Sequence, residues 1–196
     1  MLDQAIPILR RDERLRPAVG KGDLPPLNLD YDLYAGLIRS VVHQQLSGKA
    51  AHTIHQRLLA LFPDGYPHLE LLLKLDTSEL RAVGLSRQKA DYVANVAYFF
   101  QSRDQQTLLQ LEDNALIQEL TQIKGIGKWT VQMILIFNLG RPDVFPPDDL
   151  GIQKAMQRLY DLPTKGRKMK QQMRTIAEAW HPYRSVATRF LWQYLD

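Results

Sequence analysis

The chain of 196 residues contains no cysteine. That excludes disulfides, thiolate nucleophiles, Cys-ligated zinc and every cysteine-held iron–sulfur cluster. No stretch approaches the roughly 18 consecutive apolar residues of a membrane span. The first residues, MLDQAIPILRRDERL, lack the apolar core of a secretory signal. The expectation is a soluble intracellular protein with no membrane partner. Clean period-two alternation rich in Val, Ile and Thr is also missing, which argues against strands, and there is no low-complexity segment.

What is present is helical periodicity nearly throughout, in a chain that is 45% hydrophobic and so able to bury a real core. The spacing predicts an all-α fold. A first helix is expected over residues 3 to about 14, then a Pro/Gly connector over 17–26 that cannot continue it. A strongly apolar helix, LYAGLIRSVVHQQ, follows over 31–45. The next covers 49–62 and ends at the PDGYP turn. Two later segments share one form, a helix, a short Gly-containing turn and a second helix. The first, LDTSELRAVGLSRQKADYVANVAYFF, has Thr77 or Ser78 as its expected N-cap and Gly84 in the turn; the second, NALIQELTQIKGIGKWTVQMILIFNLG, turns at Gly125 and Gly127. A Pro-rich loop, RPDVFPPDD, then leads into a helix from Leu150 to about Tyr160. A basic stretch, TKGRKMKQQMR, precedes final helices carrying Trp180 and Trp192.

The net charge of +4 is weak evidence for a polyanionic partner, because many basic proteins touch no nucleic acid. The turn in LTQIKGIGKWT is more informative. Its glycines permit a tight turn or the approach of another backbone, and the helix that begins there exposes amides without intrahelical partners at the positive end of its dipole. A phosphate can dock on such amides at Gly125, Gly127, Lys128, Trp129 and Thr130, with Lys124 and Lys128 adding charge. Taken alone, the same motif is an ordinary interhelical turn. The pair Asp148–Asp149 is equally two-sided: a carboxylate suited to chemistry, or the N-cap of the helix that follows. Five histidines, His43, His52, His55, His68 and His181, supply no three-ligand zinc spacing.

The segment from Leu120 to Met156, LTQIKGIGKWTVQMILIFNLGRPDVFPPDDLGIQKAM, resembles the hairpin and Gly/Pro-rich-loop-with-Asp signature of helix-hairpin-helix DNA glycosylases, and specifically the 3-methyladenine DNA glycosylase II branch. Three further segments match that branch in order: LIRSVVHQQLSGKAA, ELRAVGLSRQKADYV and AWHPYRSVATRFLW. The resemblance implies a two-lobed helical fold with its active site in the cleft between lobes. Lobe A would cover about 31–113. Lobe B would cover about 1–30 and 114–196, with the hairpin at 117–137 and the Asp loop at 141–149. The chain is expected to be a compact form without the N-terminal β domain of longer members.

By the same resemblance the catalytic carboxylate is Asp149, with Asp148 as the alternative. The base pocket is formed by Trp129 and Trp180, with Tyr34 and Tyr183 beside them. Without the resemblance, each of these aromatics reads as core packing. The wedge that fills the gap left by a flipped base is Gln45, with Gln44, His43 and Leu46 close enough to substitute. Arg39 and Lys49 are further candidate phosphate contacts. Bifunctional relatives carry a Schiff-base lysine where this chain has Trp129, which implies a monofunctional hydrolase acting on alkylated bases such as 3-methyladenine and 7-methylguanine. A cationic base of that kind is attracted to an aromatic face. No catalytic cofactor is expected, and no iron–sulfur cluster; a structural Na⁺ or K⁺ on the backbone carbonyls of Thr121, Ile123 and Ile126 is implied. The expected partner is double-stranded DNA, bound by a monomer, in the nucleoid of a prokaryote or the nucleus of a eukaryote. The competing readings are a bifunctional glycosylase/lyase for oxidised bases and a non-catalytic DNA-binding module.

Overall fold

The computed structural model describes residues 1–20, 22–163 and 166–195. Lys21 in the connector, and Thr164 and Lys165 at the start of the basic stretch, lie outside the described residues. The helices in chain order are α1 (Leu2–Leu9), α2 (Arg16–Val19), α3 (Leu33–His43), α4 (Gly48–Leu59), α5 (Leu69–Leu72), α6 (Thr77–Ala82), α7 (Arg87–Gln101), α8 (Gln105–Leu109), α9 (Asp113–Leu120), α10 (Lys128–Met133), α11 (Leu150–Tyr160), α12 (Arg167–Ala177) and α13 (Arg184–Gln193). A π-helix over Ile134–Asn138 continues α10, and a 3-10 turn over Glu178–Trp180 continues α12. No strand occurs among the described residues, so the all-α expectation holds.

The chain forms two compact units, residues 1–29 with 135–196, and residues 30–134. The expected boundary near 113 therefore falls elsewhere: the hairpin joins the 30–134 unit. Side chains of that unit explain why. Asn95 Nδ2 on α7 donates to Lys124 O at 3.2 Å, and Gln44 Nε2 donates to Gly125 O at 3.0 Å. Gly125 has φ +105°, and a Cβ there would lie 2.2 Å from Cγ of Tyr92, so the turn rests directly on the α7 ring. In the core of this unit α3 packs on α4 and α7, with Leu37, Ile38, Val41, Val93 and Val96 fully buried.

Local chemistry sets the helix ends. Asp32 caps α3 by accepting the Ala35 amide at 3.0 Å, so the helix starts two residues later than expected. At α6 the cap is Asp76 rather than Thr77 or Ser78. Its carboxylate accepts the Glu79 amide while Glu79 accepts the Asp76 amide, a reciprocal arrangement that the sequence pattern D-x-x-E carries.

In the other unit, α1, α11, α12 and α13 enclose a core of Leu9, Ile152, Met156, Met169, Met173, Trp180 and Phe190. The first helix ends at Leu9, well short of residue 14, because Asp12 Oδ1 accepts the amides of Arg14 and Leu15 at 3.1 Å each and turns the chain. Asp12 Oδ2 reaches inward, accepting the Tyr160 hydroxyl at 2.6 Å and the Trp180 indole N–H at 2.9 Å. Burial, and the neighbouring Asp12 carboxylate, push the Tyr160 phenol up from its ordinary pKa. Replacing Asp12 by Ala strands two inward-facing donors at once. At about 1–3 kcal/mol for each buried donor left without an acceptor, Asp12→Ala is expected to lower unfolding free energy by about 2–6 kcal/mol in urea titration, whereas Asp12→Asn, which keeps an acceptor oxygen, loses less.

Candidate active site and nucleic-acid interface

In the unit formed by residues 1–29 and 135–196, the Pro-rich loop is pinned along its length. Ser185 N donates to Pro142 O at 2.9 Å, Ser185 Oγ accepts from Val144 N at 2.8 Å, and Gln153 Nε2 donates to Pro147 O at 2.9 Å. Asp143 accepts from Arg184 at Nε (2.8 Å) and Nη2 (2.7 Å) and lies 2.7 Å from His181 Nδ1. Burial acts to raise the Asp143 pKa, but the hydrogen bonds from Arg184 and His181 outweigh it and hold the carboxyl below its usual range.

This loop delivers the two acidic residues differently. Asp148 is exposed and paired with Lys170 Nζ at 2.6 Å. Asp149 is half-buried and is the N-cap of α11: its Oδ1 accepts the Ile152 amide at 2.9 Å and also the Trp192 indole N–H at 2.9 Å. Of the two acidic residues, Asp149 is thus the one that caps the helix. Trp192 stacks on Phe137, with ring centroids 5.4 Å apart and planes at 25°. Phe137 is itself 39% exposed and is carried by the π-helix, a deformation frequent at functional sites. Gly151 is the clearance for this arrangement, because a Cβ there would sit 3.0 Å from Trp192 Cδ1 and 3.1 Å from Asp149 Oδ1. Phe137 does not stand out in the sequence, Gly151 does so only as a marker of the family register after Asp149, and Trp192 only as a helix residue. The A-W-H-P-Y-R-S-V-A-T-R-F-L-W match contains Trp192, but spacing alone cannot say which of its two tryptophans faces the acid.

Two of the expected pocket aromatics belong to cores instead. Trp180 has no exposed surface; its ring packs edge-on against Phe145 and its N–H is taken by Asp12, so it cannot touch a base. Tyr34, in the 30–134 unit, is 6% exposed, donates its hydroxyl to Pro67 O at 2.7 Å and packs edge-on against Phe100. Tyr183 packs partly buried against the Trp180 core, with its hydroxyl 3.5 Å from Gln4 Oε1. Trp129, by contrast, is 47% exposed on the first turn of α10.

In the 30–134 unit the two Gly turns can be compared directly. Gly84 and Gly125 both have positive φ, at +107° and +105°, and each precedes a buried apolar residue, Leu85 or Ile126. Next comes the N-cap, then a basic residue, Arg87 or Lys128. The N-caps differ. Ser86 Oγ accepts the Lys89 amide at 3.2 Å and so closes the end of α7. Gly127 brings no side-chain cap to α10, and a Cβ there would meet nothing within 4 Å. The second turn therefore lacks the side-chain cap that the first one has. Lys128 and Trp129 are exposed there, while the Thr130 side chain is buried and contributes at most its amide.

The turn after α3 sorts the residues expected as the wedge. Gln44 is tied to Gly125 O, and Lys89 Nζ holds the end of α3 by donating to Val42 O at 2.6 Å. Gln45 is exposed at φ +56°, a left-handed conformation that a non-glycine residue rarely adopts. Leu46 is 39% exposed. The His43 ring meets His55 edge-on at 6.1 Å; burial, then Arg39, Lys89 and His52, lower its pKa, and His55 is lowered to about 4, chiefly by burial. Arg39 is 3.8 Å from Asp30, and Lys49 is exposed on α4. No group of three metal-ligating side chains occurs among the described residues. Of the three hairpin carbonyls, Ile123 O accepts the Ile126 amide at 3.0 Å, and those of Thr121 and Ile126 accept no hydrogen bond among the described residues.

Comparison with known proteins places this arrangement. Residues 38–182 match the model of the HhH-GPD superfamily of base excision DNA repair proteins. DNA-3-methyladenine glycosylase 1 of Schizosaccharomyces pombe is 38% identical over 82% of this chain and 71% of its own. The structure of the S. pombe 3-methyladenine DNA glycosylase in complex with abasic DNA superposes with a TM-score of 0.80 at 34% identity, covering 97% of this chain and 95% of that one. That of a DNA-3-methyladenine glycosidase from Bacillus halodurans gives 0.81 at 33%, covering 95% and 86%. The chain spans 62% to 76% of the length of four curated relatives it matches. With the hairpin, the Pro-rich loop and Asp149 all inside the matched segment, the chain belongs to the HhH-GPD superfamily of base excision DNA repair proteins.

Proposed function

We propose that this protein is a monofunctional DNA glycosylase that hydrolyses the N-glycosidic bond of alkylated bases, 3-methyladenine and 7-methylguanine among them, in double-stranded DNA. The observation that carries the reading is Asp149, held by the α11 amide and the Trp192 indole at the end of a pinned loop. The relatives' names, 3-methyladenine glycosylases, support the substrate class. A flipped nucleotide would bring its C1′ to this carboxylate. As the C1′–N bond breaks, its electron pair leaves with the base and positive charge develops on the sugar, which a fixed carboxylate stabilises. Water then adds to C1′ and gives up a proton, leaving an abasic site. An alkylated purine is already cationic and needs little acid help to depart. Phe137, exposed and stacked on the partly buried Trp192, offers it an electron-rich face, in place of the Trp180 and Tyr34 faces expected from sequence.

The hairpin would hold a phosphate on the amides following Gly127, with Lys128 adding charge, and a monovalent cation would fit the carbonyls of Thr121 and Ile126, sharing that of Ile123. Gln45 would be the wedge, since Gln44 is committed to the hairpin. The protein would act as a monomer in the compartment that holds the genome. Trp129 in place of the lysine of bifunctional relatives supports a hydrolytic route, and borohydride should trap no covalent adduct with substrate DNA.

Three outcomes test this. Chromatography of bases released from methylated DNA should show 3-methyladenine and 7-methylguanine with the native chain and a loss of at least about 100-fold for Asp149→Asn, which should still bind abasic DNA; equal release by both would refute the reading. Gly151→Ala drives a methyl between Trp192 and Asp149, and should cut single-turnover excision by about 10- to 100-fold with little change in DNA affinity. Gln45→Ala should weaken the fluorescence change of 2-aminopurine on flipping and lower kcat/KM more than Leu46→Ala does.

A further inference from the structure

The positive charge of this chain is not spread over its surface. Helices α11 and α12, of 11 residues each, carry Lys154, Arg158, Arg167, Lys168, Lys170 and Arg174 and no acidic residue. Their charge of +6 exceeds the +4 of the whole chain, so everything else together is net negative by 2. Each helix turns an apolar face to the core, through Ile152, Ala155 and Met156 on α11 and Met169, Met173 and Ala177 on α12. The cations lie on the opposite faces. Lys154 and Arg158 are exposed one turn apart, and Arg167, Lys168 and Arg174 are exposed along α12. Lys170 pairs with Asp148; none of the other five forms an ion pair or side-chain hydrogen bond among the described residues. Elsewhere four arginines, Arg14, Arg39, Arg103 and Arg184, are taken up by Asp161, Asp30, Glu119, Asp143 and Glu178.

The location is as telling as the charge. Lys170 touches the residue before Asp149, so the Arg167–Lys170–Arg174 row on α12 passes beside the loop that carries the carboxylate. Leu150, 72% exposed, starts α11 at the same point. Arg167 and Arg174 are seven residues apart, about 10 Å along the helix axis. That spans about three base-pair steps of B-form DNA. Like charges gathered without partners repel one another, and the arrangement is compensated by a polyanion.

We infer that the cationic face of α11 and α12 is a second DNA-binding surface, engaging backbone phosphates of the duplex that flanks the nucleotide held at Asp149; the assignment of that nucleotide rests on the function proposed above. Its role is to register the flanking backbone, not to read sequence, because exposed Lys and Arg on a convex helical face suit phosphates better than base edges.

The test compares the native chain with the triple variant Arg167→Gln/Lys168→Gln/Arg174→Gln, using fluorescence anisotropy on duplexes containing a tetrahydrofuran abasic site, short-flanked and long-flanked, over a salt series. The slope of log affinity against log salt should fall in magnitude by about 0.9 for each phosphate no longer neutralised, hence by about 2 to 3 for the triple variant on the long duplex. The native chain should gain affinity from the longer flanks and the variant should not, while single-turnover excision at saturating protein stays unchanged. An unaltered slope and length dependence overturns the inference, and so does a variant that loses binding to phosphatidylserine vesicles while DNA binding is intact. If base release proves independent of Asp149 while the slope still falls, the glycosylase reading fails and this surface stands.

Discussion

One carboxylate oxygen carries the geometry of the acidic site. Oδ1 of Asp149 supplies the acceptor that the first turn of α11 lacks and also receives the Trp192 indole from α13. A helix cap and a tryptophan hydrogen bond are each modest in energy. Sharing one acceptor, they fix the carboxylate from two directions and tie its position to the packing of α11 on α13. The anchors of the loop behind it, Asp143 on Arg184, Val144 on Ser185 and Pro147 on Gln153, lead to the same two helices. Gly151 is the steric condition of the arrangement, and the Phe137 ring restricts the plane of the indole from its other side. Preorganisation of a charged group before substrate arrives is what electrostatic stabilisation of a cationic transition state requires.

The 30–134 unit solves a different problem with little side-chain chemistry. Two turns share a positive-φ glycine, a buried apolar residue and a following basic residue, yet one is capped by a serine hydroxyl and the other has a glycine with no side chain to cap with. The difference is one side chain at the N-cap. Helix α7 holds the open turn in place through Tyr92 and Asn95, one helical turn apart, and one turn further back Lys89 grips the end of α3. Gln44 then ties the residue after α3 to Gly125. The left-handed backbone at Gln45 directly follows this anchored residue.

Much of this is legible in the sequence because it depends on spacing within a few residues. Helical periodicity, the absence of alternating strands and the glycine turns are local; the D-x-x-E pattern at Asp76 is local too, and it outweighs the Thr77 or Ser78 cap expected there. Sequence misleads where one side chain serves a distant partner. Asp12 reaches Trp180 across 168 positions of sequence and claims it for the core. Tyr34 is claimed likewise by Pro67 and Phe100. The lobe boundary lies away from residue 113 because Gln44, expected near the wedge, and Asn95, inconspicuous in the sequence, bind the hairpin backbone.

The sequence by itself therefore determined the helical class and the family, since each follows from backbone chemistry or from motifs contiguous along the chain. Only the tertiary structure decided which tryptophan meets the acid, why residue 151 is glycine, and that six cations stand on two adjoining helices. Those facts rest on distances between residues far apart in sequence, and packing alone brings such residues together.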